Sequence, residues 1–165
     1  MAVQDFRKLR LLAAFGLTLS SALLAAPVLA DAPATPAPAP AGYYTFQHVV
    51  YQNDGGMPDN HAYFGRLLHH IGAHLTATEG KVEIRVVNFA GGVTLFQMAK
   101  TDEDLRKEID DLRAKGVRFL ICRNTLNGMG LKPEDLYQVR AEDVVPSGVA
   151  EIARLQGLGF VYIHP

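Results

Sequence analysis

The chain predicts an α/β fold, a doubly wound, mostly parallel five-stranded sheet with helices on both faces, and three observations predict it. Apolar runs alternate with helical patterns along the sequence, which is the signature of a parallel sheet with crossover helices. The single cysteine, Cys122, closes one of those runs and opens a helix start. The foldable part, residues 43–165, has the length of one compact domain and shows neither a second boundary nor an internal repeat.

The first strand is expected at residues 45–52, centred on Val49-Val50-Tyr51 and stopped by the turn signal Asn53-Asp54-Gly55-Gly56. A helix follows, with Phe64, Leu67, Leu68, Ile71 and Leu75 on one face of a 3.6-residue period. In the second strand, residues 82–88, Val82, Ile84 and Val86 alternate with Glu83 and Arg85. Residues 93–99 start or precede the next helix. That helix reads from an N-cap at Thr101 through a first turn of Asp102, Glu103 and Asp104 to a stop at Gly116. The third strand ends at Cys122. A short fourth strand lies near 143–145, Ser147 caps a last helix, and Phe160-Val161-Tyr162-Ile163 is the fifth strand. The expected strand order is flavodoxin-like, 2-1-3-4-5, with the ligand crevice between strands one and three, so that the thiol faces the Asn-Asp-Gly-Gly loop.

A thiol at a strand end that turns into a helix sits beside unpaired N–H groups and the positive end of a dipole, which favour thiolate. Arg123, Asn124 and Thr125 add a guanidinium, an amide and a hydroxyl. The same position also suits a cysteine packed as a small hydrophobe, with Asn124 or Thr125 as a plain cap. His61 stands at the start of the first helix as a candidate acid/base group, or as a solvated helix-start residue. His70 and His74 are spaced to share a metal, but no third ligand stands at a convincing position, and a structural role is favoured. The Asn53-Asp54-Gly55-Gly56 loop lacks both phosphate-cradling patterns, and Ser147 lacks the surroundings of a nucleophile elbow.

At the N-terminus Arg7, Lys8 and Arg10 precede an apolar stretch and the small-residue site Val28-Leu29-Ala30, which reads as an export signal over residues 1–30 with cleavage after Ala30, or else as a retained anchor. Residues 31–42 form an Ala/Pro-rich linker, an extended tether. Removing the signal takes three of 16 basic and one of 17 acidic residues and leaves a net charge of −3. No basic stripe marks a nucleic-acid or anionic-lipid surface. With one cysteine, no intrachain disulfide is possible.

The strings Phe119-Leu120-Ile121-Cys122-Arg123-Asn124-Thr125-Leu126 and Pro146-Ser147-Gly148-Val149-Ala150-Glu151-Ile152-Ala153-Arg154-Leu155-Gln156, then Gly159-Phe160-Val161-Tyr162-Ile163, resemble the DsrE/DsrF-like family of small sulfur-relay proteins. The resemblance spans essentially all of residues 43–165. It implies a flavodoxin-like domain that assembles as trimers or hexamers and carries sulfur as a persulfide on a cysteine after the third strand, the position of Cys122. Relay members are cytoplasmic and work with partner subunits, whereas this chain carries an export signal.

The expectation is therefore a periplasmic or secreted protein that binds or relays sulfane sulfur on Cys122. Asn53, Asp54, His61, Arg123, Asn124, Thr125 and Ser147 are the candidate supporting residues. Expected partners are copies of itself and a thiol or sulfur-carrier protein. No metal, organic cofactor or nucleic acid is expected, and no membrane span after cleavage. The alternative is a non-catalytic oligomeric small-ligand-binding or structural protein with a buried cysteine.

Overall fold

The computed structural model describes residues 40–56 and 59–165. The expected signal segment and most of the expected linker lie outside them. Among the described residues five strands, β1 (Gln47–Asn53), β2 (Val82–Asn88), β3 (Arg118–Cys122), β4 (Val144–Val145) and β5 (Val161–Ile163), form one sheet in which every neighbouring pair is parallel. The helices are α1 (Asn60–Ala77), α2 (Thr94–Met98), α3 (Glu103–Ala114), α4 (Arg123–Met129) and α5 (Gly148–Gly157). None among the described residues is long and apolar enough to cross a membrane.

Period-two alternation divides the strands between two faces. Val49, Tyr51, Ile84, Val86, Phe119 and Ile121 point to one face, where Phe64, Leu67, Leu68 and Ile71 of α1, Leu105 and Ile109 of α3 and Leu126 of α4 complete the larger core. Val50, Val87 and Leu120 point to the other, covered by Ile152 and Leu155 of α5. The fold is thus the doubly wound α/β class expected.

The strand order differs from the expected 2-1-3-4-5. It is β4-β3-β2-β1-β5, because three successive crossovers step in one direction and only the last returns past β1. The crevice moves with it. A crevice opens where the connections leaving adjacent strands go to opposite faces. Here β3 leads to α4 on the larger-core face and β4 leads to α5 on the other, so it opens between β3 and β4. β2 lies between β1 and β3, so the β1 loop does not face the thiol.

The α3 cap also differs from expectation. Asp102 is the N-cap and its Oδ1 accepts the Leu105 N–H at 3.0 Å, whereas the Thr101 hydroxyl donates back to the Met98 carbonyl. A carboxylate at this position gains from the helix dipole as well as from the bond.

At the carboxyl end of the sheet the loops after β1 and β2 touch backbone to backbone. A Cβ on Gly92 would lie 2.0 Å from the Asn53 carbonyl oxygen, and one on Gly55 2.5 Å from the Gly91 carbonyl carbon. Gly92→Ala should destabilise the protein by about 3 kcal/mol in chemical denaturation, since neither neighbour is a side chain that can swing away. Gly72→Ala in α1, where nothing lies within 4 Å of the added Cβ, should instead stabilise by up to about 1 kcal/mol.

Candidate functional site at Cys122

Cys122 is the last residue of β3, pairs with Val145 of β4 and is the N-cap of α4. Alternation with Arg118 and Leu120 turns its side chain to the face that α5 covers. It therefore sits where two helices begin, α4 from its own strand and α5 from the neighbouring one. The residue is 5% exposed.

Burial pushes the thiol pKa up, but four donors outweigh it: the Thr125 hydroxyl, then the backbone N–H groups of Gly148, Thr125 and Asn124, and the net shift is downward. No N–H closes a cap bond to the sulfur in full geometry, so the donors act as converging dipoles at a negative charge.

The corner after β2 sets two of these donors in place. Ala90 donates its N–H to Thr125 Oγ1 at 2.9 Å, which occupies an acceptor site on the hydroxyl and leaves its proton for the sulfur. Ala90 has φ +46°, a left-handed conformation that costs a non-glycine residue about 1 kcal/mol. Gly148 approaches the same corner so closely that a Cβ on it would lie 2.9 Å from Phe89 Cβ. Phe89 is in turn tied to β1 by its N–H on the Asn53 carbonyl at 3.1 Å.

The structure gathers Cys122, Asn124, Thr125 and Gly148 and places the other candidates differently. Asn124 contributes its backbone N–H. Arg123 and Asn124 have exposed side chains on the first turn of α4. Ser147 lies next to Gly148 with its hydroxyl turned to cap α5 through the Ala150 N–H. Asn53 is fully buried, donating to Asn88 Oδ1 at 2.8 Å and to the Gly92 carbonyl at 3.2 Å. Asp54 accepts from Gln52 and pairs with His164. His61 turns its Nε2 to Asp102 at 2.7 Å, toward the start of α3. With β2 interposed, the β1 end lies about 10 Å across the sheet from β3, so Asn53 holds the loops together at a distance from the sulfur.

His74 uses both ring nitrogens within the fold. Nε2 faces Gln47 Oε1 at 2.7 Å and Nδ1 the Tyr51 hydroxyl at 2.8 Å. The Gln47 oxygen can only accept, so Nε2 carries the proton and Nδ1 receives the tyrosine's. Burial lowers the His74 pKa and raises that of Tyr51 to about 12, which favours the neutral form of both. Among the described residues no three His, Cys, Asp or Glu side chains cluster as a metal site.

Gly148 and the Phe89-Ala90 corner are the components that sequence reasoning missed. The visible signal was a pair of glycines, Gly91-Gly92, in the loop after a strand, which marks close backbone approach.

The protein-family model of the DsrE/DsrF-like family matches residues 49–165. Among solved structures, a protein of unknown function from Methanobacterium thermoautotrophicum is 31% identical, covers 72% of this chain and 99% of its own, and superposes with a TM-score of 0.62. No curated protein matches.

Thr125→Val keeps the shape of the side chain and removes the hydroxyl. Thiolate absorbance followed against pH should show the Cys122 transition moved to higher pH in Thr125→Val and restored in Thr125→Ser. A transition that stays in place in both variants would remove Thr125 from the account.

Proposed function

The chain belongs to the DsrE/DsrF-like family, and on that premise we propose that it accepts sulfane sulfur on Cys122 as a persulfide and passes it to a thiol. The observation that carries this reading is the position of Cys122 at the β3/β4 crevice, N-cap of α4 and beside the start of α5, where the Thr125 hydroxyl and the N–H groups of Gly148, Thr125 and Asn124 favour the thiolate. Such a set stabilises an anion at Sγ, and it serves a persulfide anion, one atom longer, by the same dipoles.

In the loading step the Cys122 thiolate attacks the outer sulfur of a donor persulfide. A new S–S bond forms as the donor's S–S bond breaks, and the donor departs as a thiolate. In the delivery step an acceptor thiolate attacks the outer sulfur of the Cys122 persulfide and restores the Cys122 thiolate. Neither step changes the overall oxidation state, and neither calls for a metal or an organic cofactor.

The reading extends to location and assembly. The segment over residues 1–30 supports export to a periplasmic or secreted location. Self-association, as a trimer or hexamer, is supported by apolar side chains left on the surface near the β5 edge. Phe46, Leu158 and Val161 are each more than half exposed, and among the described residues β5 pairs with β1 alone. The second reading, a ligand-binding or structural protein with a packed cysteine, draws on the low exposure of Cys122.

Incubation with a polysulfide, or with a sulfurtransferase carrying sulfane sulfur, should add one sulfur, roughly 32 Da, that a thiol reductant removes. Cys122→Ser should stay folded and unmodified. Wild-type protein left unmodified under conditions that load a control thiol protein would transfer the assignment to the second reading. Light scattering should give a mass of three or six chains at micromolar concentration, and a monomer would contradict the assembly.

A further inference from the structure

A separate cavity of about 270 Å³ lies between α1 and the segment that follows β5, lined by Tyr63, Arg66, Leu67, His70 and Pro165. The first four stand at i, i+3, i+4 and i+7 on one face of the helix. Tyr63 and Leu67 are buried in the larger core, and Arg66 and His70 are exposed at its border. β1 and β2 separate β5 from β3, and α1 covers the sheet face opposite to the one that Cys122 faces, so this cavity is no part of the thiol site.

Tyr63 is 6% exposed, and among the described residues its buried hydroxyl has no hydrogen-bond partner. The acceptors near this end of the sheet are turned elsewhere. Asp54 accepts from Gln52 Nε2 at 3.0 Å and faces His164 Nε2 at 3.3 Å, and Gln52 Oε1 accepts from the Tyr162 hydroxyl at 2.8 Å. Burial, then Asp54 and Tyr162, raises the Tyr63 pKa against the opposing pull of Arg66, so the phenol keeps its proton and can donate. A hydroxyl withdrawn from water and left unpaired is costly. Among the described residues no carboxylate comes within salt-bridge distance of the Arg66 guanidinium either. Of the two histidines spaced along this helix, His74 spends both ring nitrogens within the fold, whereas His70 turns to the cavity.

We propose that this cavity binds a small carboxylate with a short apolar body, its carboxylate held by the Tyr63 hydroxyl and the Arg66 guanidinium, with His70 at the rim. The lining holds no Asp or Glu. An ionised carboxylate only accepts, and it answers a phenol O–H and a guanidinium that both have hydrogen bonds to give. Leu67, the Tyr63 ring and Pro165 supply apolar walls, which suit a hydrocarbon body and give nothing to a hydrated inorganic ion. The volume is below that of pockets that enclose a drug-sized ligand, which limits the body to a few carbons.

Sodium butyrate titrated at constant pH and ionic strength into the full chain should shift the His70 ring-proton resonances to saturation, a readout into which sulfur loading of Cys122 does not enter. n-Butylamine, with the same body and the opposite charge, should not. Tyr63→Phe keeps the ring and deletes only the unpaired hydroxyl, so the free variant should lose no stability in chemical denaturation yet bind butyrate about tenfold more weakly. Arg66→Gln, an exposed change that leaves the core untouched, should weaken binding by a similar factor. A shift that does not saturate, a butyrate affinity unchanged in either variant, or butylamine bound as tightly as butyrate would overturn the proposal.

Discussion

The carboxyl end of this sheet is registered on the corner that follows β2. Phe89 bonds to β1 through the Asn53 carbonyl, stands against Gly148 at the start of α5, and is followed by Ala90, whose N–H holds Thr125 at the start of α4. Two strands and two helices thereby share one short segment. Its conformation is over-determined: Ala90 keeps a left-handed φ and Gly92 admits no side chain. Strain of this kind persists only where surrounding contacts fix it, and at Ala90 it sits one hydrogen bond from Thr125, beside the sulfur.

Chain topology adds the second condition. Because α4 and α5 leave adjacent strands for opposite faces, both begin at the β3/β4 boundary, and Cys122 with its partner Val145 lies on that boundary. A thiol on β1 or β2 would meet the start of only one helix. The site is therefore a consequence of where the winding reverses, with the side chains of Arg123 and Asn124 contributing little beyond their place on the first turn.

Much of this was legible in the sequence because the relevant signals are local. The period-3.6 stripe from Phe64 to Leu75, the alternation in residues 82–88, the strand stop at Cys122 and the Ser147 cap all appear in the structure where residue pattern placed them. What local pattern could not supply was order among strands. Every parallel crossover looks alike in sequence, so the 2-1-3-4-5 expectation put Asn53, Asp54 and His61 beside the thiol when β2 in fact intervenes. The same blindness hid Gly148, whose role depends on Phe89, a residue 59 positions earlier in the chain. The strand-to-helix position pointed to Cys122 and to Asn124 and Thr125 beside it, but not to Gly148.

We propose that the native fold holds Cys122 as a reactive thiolate, although the residue is largely buried. The rate of iodoacetamide alkylation of the native protein against pH tests it most directly. Reaction without denaturant and an inflection below the free-thiol value of about 8.5 are expected. A thiol that reacts only after unfolding would contradict it.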